Sequence, residues 1–382
     1  MTARLSATDL KPWAPPAPWR LRPARPDDNA ALLDLVEACP VRASFSLRVS
    51  RRPDFFALTR LGGEWGRVLV VETAEGDLVG CIAVLGRRCW IGGALRPSFY
   101  VGDFRVHPAW RGRGLGDALV CAASRLGDEI DPDMPALVTV LAGNRPMSGL
   151  VAGRGGIPPF HHFATVRLHT LPLVRRRSPR SSLRITPAES RDVSEMAALW
   201  SRLAPRRQFT QARDEAALSA WVAAAPGLGW PSYWLARRAD GRLAGFLALW
   251  DERDCKETTV LEYSGGAAAF RAMYNLLAPA LGGAPLPRRG ETIRTLQVVH
   301  LCVAPEEPDT LCALLLAAAE GCRGLGAVAL TIGLDVTDPA ARALAGIPTI
   351  TTDVAAYVLT PGGPWRGPPL NDRPLHFEIA LA

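Results

Sequence analysis

Hydrophobic residues mark three consecutive elements in the N-terminal half of the chain. Phe99 to Val106 reads as an apolar strand running into Val106-His107-Pro108. Leu115, Ala118, Leu119, Ala122 and Leu126 then recur at helical spacing, which predicts an amphipathic helix with one buried face. Ala136 to Leu141 is continuously apolar, the pattern of a strand covered on both sides. Two segments between apolar runs, Glu75-Gly-Asp-Leu-Val-Gly80 and Asp240-Gly-Arg-Leu-Ala-Gly245, read as hairpin turns leading into strands.

These turns belong to a longer correspondence. Leu21-Arg-Pro-Ala matches Leu183-Arg-Ile-Thr-Pro-Ala, each ahead of an aspartate and an amphipathic helix. Val106-x-Pro108 matches Val303-x-Pro305, and Gly156-Ile-Pro158 matches Gly346-Ile-Pro348, always in the same order. The chain is therefore expected to hold two tandem copies of one α+β fold. The second copy carries an insertion before its fourth strand, with an apolar helix around Ala267 to Leu281. The expected boundaries are a proline-rich arm at 1–19, a first domain at 20–170, an arginine-, proline- and serine-rich linker at 171–182, and a second domain at 183–382. Within the arm, Lys11-Pro-Trp-Ala-Pro-Pro-Ala-Pro-Trp19 should be an extended polyproline segment packed across its own domain.

Between the strand and the helix of the first copy lies Arg111-Gly-Arg-Gly-Leu-Gly116. Glycines let successive N–H groups turn toward a ligand, the helix adds its positive end, and two arginines add full charges, so the loop is suited to a pyrophosphate. No Gly-Lys-Ser/Thr closes it, and Gly112-x-Gly114-x-Gly116 is not the spacing of a dinucleotide loop. Arg111-x-x-Gly114-x-Gly116 behind V-x-P resembles the acyl-CoA loop of the GCN5-related N-acetyltransferase (GNAT) superfamily. The resemblance is carried by motifs over 20–170 and by pattern alone over 183–382.

It implies two GNAT-like domains, each a mixed, mostly antiparallel twisted sheet flanked by helices and splayed between strands four and five. In the first domain Arg111, Gly112, Arg113, Gly114, Leu115 and Gly116 would hold the coenzyme A pyrophosphate. Backbone groups at Phe104 and Val106 would meet the pantetheine, and Asn144 would contact its arm, although Asn144 reads equally well as a helix N-cap. In the second domain Glu306-Glu-Pro-Asp-Thr310 follows Val303-Ala-Pro305, where acids suit a helix start and repel a pyrophosphate. That copy is expected to be degenerate, serving as a lid, a dimer surface or a wall of the acceptor pocket.

The implied reaction is direct transfer of acetyl from acetyl-CoA to a primary amine of a small molecule or peptide. Asp103 is the candidate for handling the ammonium, at a place where polyamine acetyltransferases of the superfamily carry E-D-x-x-V; an ion pair with Arg105 or a neighbouring-strand arginine is its other reading. Tyr100, placed on the face of Phe104 and Val106, is either a proton donor or a core aromatic. The family tyrosine of N-x-x-A-x-x-L-Y falls on Val151, leaving Ser148 or water to protonate the thiolate. His161 or His162 could act as a base, Arg51 or Arg52 could read an acceptor carboxylate, and Phe55 and Phe56 suit packing. A non-catalytic acyl-CoA sensor, an interaction protein, or transfer of a longer acyl group remain as alternatives.

Composition narrows the partners. The 382 residues suffice for two cores, and no apolar run of membrane length or signal-peptide type is present, so a cytoplasmic protein with no membrane partner is expected. Eight scattered cysteines without C-x-x-C suggest neither a metal nor disulfides. The net charge is +7, yet all but two of the 44 basic residues are arginines spread along the chain, and Arg175-Arg-Arg-Ser-Pro-Arg180 has no interleaved aromatics. That argues against nucleic acid. A homodimer remains compatible.

Overall fold

In a computed structural model, the described residues are 18–42, 45–153, 160–176, 181–360, 370 and 373–381. The polyproline stretch 11–17, Gly156-Ile-Pro158 and residues 177–180 of the linker lie outside them.

The N-terminal half runs β1 (Arg20–Pro23), α1 (Asn29–Glu37), β2 (Val41–Arg42), β3 (Phe45–Ser50), α2 (Phe56–Gly62), β4 (Trp65–Glu72), β5 (Leu78–Ile91), β6 (Ala94–Val106), α3 (Leu115–Ile130), β7 (Ala136–Leu141), α4 (Arg145–Val151) and β8 (His161–Pro172). The C-terminal half runs β9 (Arg184–Pro187), α5 (Val193–Leu203), β10 (Thr210–Gln211), α6 (Glu215–Ala224), β11 (Tyr233–Arg237), β12 (Leu243–Trp250), β13 (Glu257–Tyr263), α7 (Gly266–Leu277), β14 (Thr295–Val303), α8 (Pro308–Gly321), β15 (Ala329–Asp335) and β16 (Ile350–Leu359). Both expected hairpins form, β4 to β5 and β11 to β12. Each turns through a glycine at positive φ, Gly76 at 93° and Gly241 at 83°, where a Cβ would be strained.

The strands make one mixed sheet in the order β1-β4-β5-β6-β7-β16-β8-β15-β14-β12-β11-β9, with β10 paired to the far end of β5. Two pairings are parallel, and both are short. β6 meets β7 from Phe99–Ala136 to Val101–Val138, and β14 meets β15 from Thr295–Ala329 to Gln297–Thr331. Beyond these pairs the strands diverge, leaving a gap in each half. Helices flank the sheet: α3 covers one face through Leu115, Leu119 and Leu126, while α1 covers the other through Leu32, Leu33 and Val36. This is the α+β, splayed-sheet architecture that the motifs implied. Among the described residues no helix is long and apolar enough to cross a membrane.

The sheet is continuous because the two halves exchange their last strands. β8 pairs with β15 of the other half, from Val166–Asp335 to Pro172–Ala329. β16 returns to pair with β7 on one side and β8 on the other. Val354, Ala356 and Val358 of β16 lie in the same buried cluster as Leu32, Phe55, Val70 and Tyr100 of the first half. The insertion crosses over as well: β13 pairs with β3, from Ser50–Glu257 to Phe45–Tyr263, in a separate three-stranded sheet with β2. A cut at 171–182 therefore does not divide the molecule into two sheets.

Removing β16 from the first half would expose Val354, Val358 and Leu359, at about 1.5–3 kcal/mol for each fully buried side chain, against a typical total stability of roughly 5–15 kcal/mol. It would also leave the apolar strand β7 as an open edge. Fragments 1–176 and 177–382 are expected to lack a cooperative thermal transition when made separately, and to co-purify as a folded pair when expressed together. A cooperative melt of 1–176 alone, followed by circular dichroism, would contradict this account of the sheet.

Candidate active site

The gap between β6 and β7 is shaped by an irregularity in β6. Cys81 of β5 faces Arg105 and Ala83 faces Gly102, so Asp103 and Phe104 together oppose the single residue Ile82. This bulge puts Asp103 at φ 50°. It also shifts the alternation of side chains along the strand. Phe99, Val101, Phe104 and Val106 all pack on the α3 side, whereas Tyr100 belongs to the cluster on the α1 side. The expectation that Tyr100 shares a face with Phe104 and Val106 is corrected by that extra residue. The Tyr100 hydroxyl lies 3.0 Å from Thr139 Oγ1, tying β6 to β7 at the inner end of the gap.

Both oxygens of Asp103 are held. Arg51 Nη1 donates to Oδ2 at 2.6 Å and Arg105 Nη1 donates to Oδ1 at 2.8 Å. Burial alone would raise this carboxyl, but the two guanidiniums outweigh it and hold it down to about 2. Asp103 is thus ionised and weakly basic at neutral pH. Arg51 is committed to this pair, and Arg52 lies at the surface with Asp34 at 2.6 Å and Glu37 at 2.9 Å. Phe55 is fully buried against Phe56.

At the open end of the gap the chain makes a short turn, Pro108–Trp110, and enters the glycine loop. Gly112 and Gly114 have φ of 76° and 78°, with open space where a Cβ would stand. A Cβ on Gly116 would come within 3.2 Å of the Phe104 ring. Gly114 is the N-cap of α3 and has no side chain to satisfy the first-turn N–H groups. The backbone from Gly112 to Gly116 is therefore free to face an anion. Arg111 is exposed and donates from Nε to the Val106 carbonyl at 3.1 Å. The Arg113 guanidinium lies 4.6 Å from the Trp110 ring centre, and Trp110 in turn meets Trp19, at the end of the N-terminal arm, edge-on at 5.1 Å.

Asn144 sits between β7 and α4, exposed, with its carbonyl accepting from the Met147 N–H at 3.1 Å, which is the position of a helix N-cap. Val151 ends α4, and the Ser148 side chain lies outside the described set. His161 and His162 begin β8, one strand beyond β16, and are not brought to the gap. One tyrosine went unnoticed in the sequence. Tyr357 of β16 pairs with Val138, which pairs with Val101, so it lies level with the point where the gap opens. Its ring meets Phe160 and His162. No local signal marked it, because the strand exchange that brings it there is a long-range pairing.

The second gap has the same geometry and a different content. In β14 His300 and Leu301 together oppose the single residue Leu247, and His300 has φ 52°, three residues before Val303, as Asp103 stands three before Val106. Here the chain's own end fills the space. The His300 N–H donates to Glu378 at 2.8 Å, the Leu375 N–H donates to Asp335 at 2.8 Å, and the Phe377 ring packs against Gly333 of β15. Arg207 joins Asp338 at 2.7 Å and the Val303 carbonyl at 2.7 Å. Among the described residues no group of His, Cys, Asp or Glu is placed to hold a metal ion.

Residues 31–144 match the model of the "Acetyltransferase (GNAT) family". No curated protein sequence matches the chain. Solved structures match it in fold at low identity. Saccharomyces cerevisiae N-myristoyltransferase with bound myristoyl-CoA is 13% identical over 95% of this chain and 90% of its own, with a TM-score of 0.63. A GCN5-related N-acetyltransferase from Sphaerobacter thermophilus is 13% identical over 91% and 97%, with a TM-score of 0.55. One from Anabaena variabilis is 13% identical over 90% and 73%, with a TM-score of 0.52. The gap between β6 and β7 and the arginine-glycine loop both lie within residues 31–144, the stretch that matches the acetyltransferase (GNAT) family model.

Proposed function

We propose that the chain is an acyl-CoA-dependent acyltransferase, passing acetyl from acetyl-CoA to a primary amine of a small molecule or peptide in its N-terminal half. The observation that carries this reading is the meeting, on one strand, of an unpaired gap and an uncapped arginine-glycine loop at its open end. An extended pantetheine laid between β6 and β7 would use backbone groups at Phe104 and Val106. The diphosphate would then take the N–H groups of Gly112 to Gly116 and the charges of Arg111 and Arg113. The thioester would lie near Val101 and Val138, where the strands part.

The chemistry needs little covalent help. A neutral amine attacks the thioester carbon, the C–S bond breaks, the amide forms, and the leaving thiolate takes a proton. With a pKa of about 2, Asp103 is suited to fixing the bulge and its two arginines rather than to accepting a proton, so the amine proton leaves to solvent. Tyr357 is our candidate for protonating the thiolate, in place of the tyrosine missing at Val151. The second half, its gap filled by residues 375–378, serves as a wall and not as a second coenzyme site. The double pairing of Asp103 also favours a second reading, an acyl-CoA sensor without turnover.

Calorimetry with acetyl-CoA tests the loop. Arg111→Ala and Arg113→Ala are each expected to weaken binding by about 1.5–3 kcal/mol, roughly 10- to 150-fold. Unchanged affinity in both would remove the loop from the site. Thiol release with a panel of amines separates enzyme from sensor, since a sensor binds acetyl-CoA and releases none. Tyr357→Phe should lower kcat by about 100-fold with the acetyl-CoA Kd unchanged; an unaltered kcat would leave protonation to water.

A further inference from the structure

One cavity of about 20 Å³ adjoins the inner end of the first gap, lined by Arg87, Tyr100 and Leu137 of the first half and by Trp200, Arg213 and Glu378 of the second. That is room for one or two water molecules, about the size of a carboxylate head. Tyr100 and Leu137 face each other in the parallel pairing one residue before β6 and β7 part, so the cavity lies beside the proposed thioester position.

Its charge is out of balance. The Arg87 guanidinium stacks on the Tyr100 ring at 4.2 Å, spends Nε on the Gly62 carbonyl, and leaves Nη2 buried without a partner. Arg213 is 6% exposed, reaches Glu378 at 3.4 Å and Gln211 at 3.3 Å, and leaves Nε buried without a partner. Two guanidiniums thus face one carboxylate. Glu378 also accepts the His300 N–H and lies 3.6 Å from His376; its charge acts on Arg87, but it makes no hydrogen bond to Arg87 Nη2. His300 is kept neutral by burial and adds no charge. A buried cation lacking a counterion is costly, and paired guanidinium N–H groups are matched in geometry to a carboxylate. Arg51 and Arg52 are each already paired with a carboxylate, although Arg51 Nε too is buried without a partner.

We propose that Arg87 and Arg213 form an anion subsite that receives a carboxylate of the acceptor, so that the acceptor is an amine bearing a carboxylate a few bonds away. The amine end then points along Tyr100 toward the gap. This rests on the acyltransferase reading above and adds its substrate class. It also gives the second half a part in the reaction, because Arg213 and Glu378 belong to it.

The test uses the full chain and Arg87→Met. Crystals of each are soaked in sodium bromide, and the anomalous signal is read at the cavity. Bromide between Arg87 Nη2 and Arg213 Nε in the wild type, absent in Arg87→Met, is the expected result; a wild-type cavity holding no halide overturns the subsite. Thiol release from acetyl-CoA is then compared for alanine, β-alanine and glutamate against ethylamine, propylamine and the amino-acid carboxamides. The carboxylate-bearing amines should have kcat/KM at least 10-fold higher, and Arg87→Met should erase that preference by raising KM. Equal rates for the two sets, or no turnover of any carboxylate-bearing amine, overturn the acceptor assignment. Calorimetry with acetyl-CoA on both proteins keeps the two readings apart. Intact binding with no carboxylate preference sinks the subsite alone, whereas no acetyl-CoA binding by the wild type sinks the acyltransferase reading.

Discussion

β16 between β7 and β8 is the constraint on which the other features depend. In a splayed sheet, β7 can pair with β6 only at its N-terminal end, so the rest of its hydrogen-bonding capacity must be met on the other side. β16 meets it over six residue pairs, from Ala136–Leu359 to Leu141–Val354. That pairing holds β7 in place while its other edge is left open, which is what an extended ligand would need. It also joins the strands of the two halves into one sheet. The gap in the first half thus depends on a strand contributed by the second.

The two gaps begin from the same backbone plan and end differently because of a few side chains. Each has a short parallel pairing, a positive-φ bulge residue and a helix after V-x-P. In the first, the helix start is glycine and arginine and stays open. In the second, Glu307 occupies the helix N-cap position and pairs with Arg238 at 2.5 Å, while Glu306 pairs with Arg206 at 2.6 Å. The acids thus satisfy the protein's own cations and leave no positive field for an external phosphate. The bulge residues have diverged in the same sense. Asp103 sits among arginines near an open gap, whereas His300 is sealed between Tyr233, at 2.6 Å, and two tryptophans.

Local patterns in the sequence were enough for the elements and the loop. α3 spans Leu115–Ile130 with Leu115, Ala118, Leu119, Ala122 and Leu126 buried, and β7 spans Ala136–Leu141, because periodicity and apolar runs report burial directly. The place and the positive-φ glycines of the loop were legible because they lie in six consecutive residues ahead of α3. The face of Tyr100 was misread because a single extra residue at the bulge inverts every later side chain, and no residue type announces a bulge. Tyr357, Arg213 and Glu378 were invisible for another reason. They reach the first half through pairings and contacts between segments far apart in the chain, and composition carries no record of such partners.

That distribution has a mechanistic consequence for the proposed reaction. In that reaction the coenzyme would be recognised locally, by β6, its loop and α3, which lie on the one continuous stretch that the family model matches, 31–144. Acceptor recognition is built across the junction, from Arg87 and Tyr100 on one side and Trp200, Arg213 and the chain end on the other. A buried guanidinium such as Arg87 is tolerable there only because aromatic faces and backbone carbonyls replace part of its hydration. The remaining unmet N–H groups leave a directional demand for an anion, set by packing between the halves. In the proposed reaction the second half would therefore determine which amine is acylated without holding the coenzyme itself.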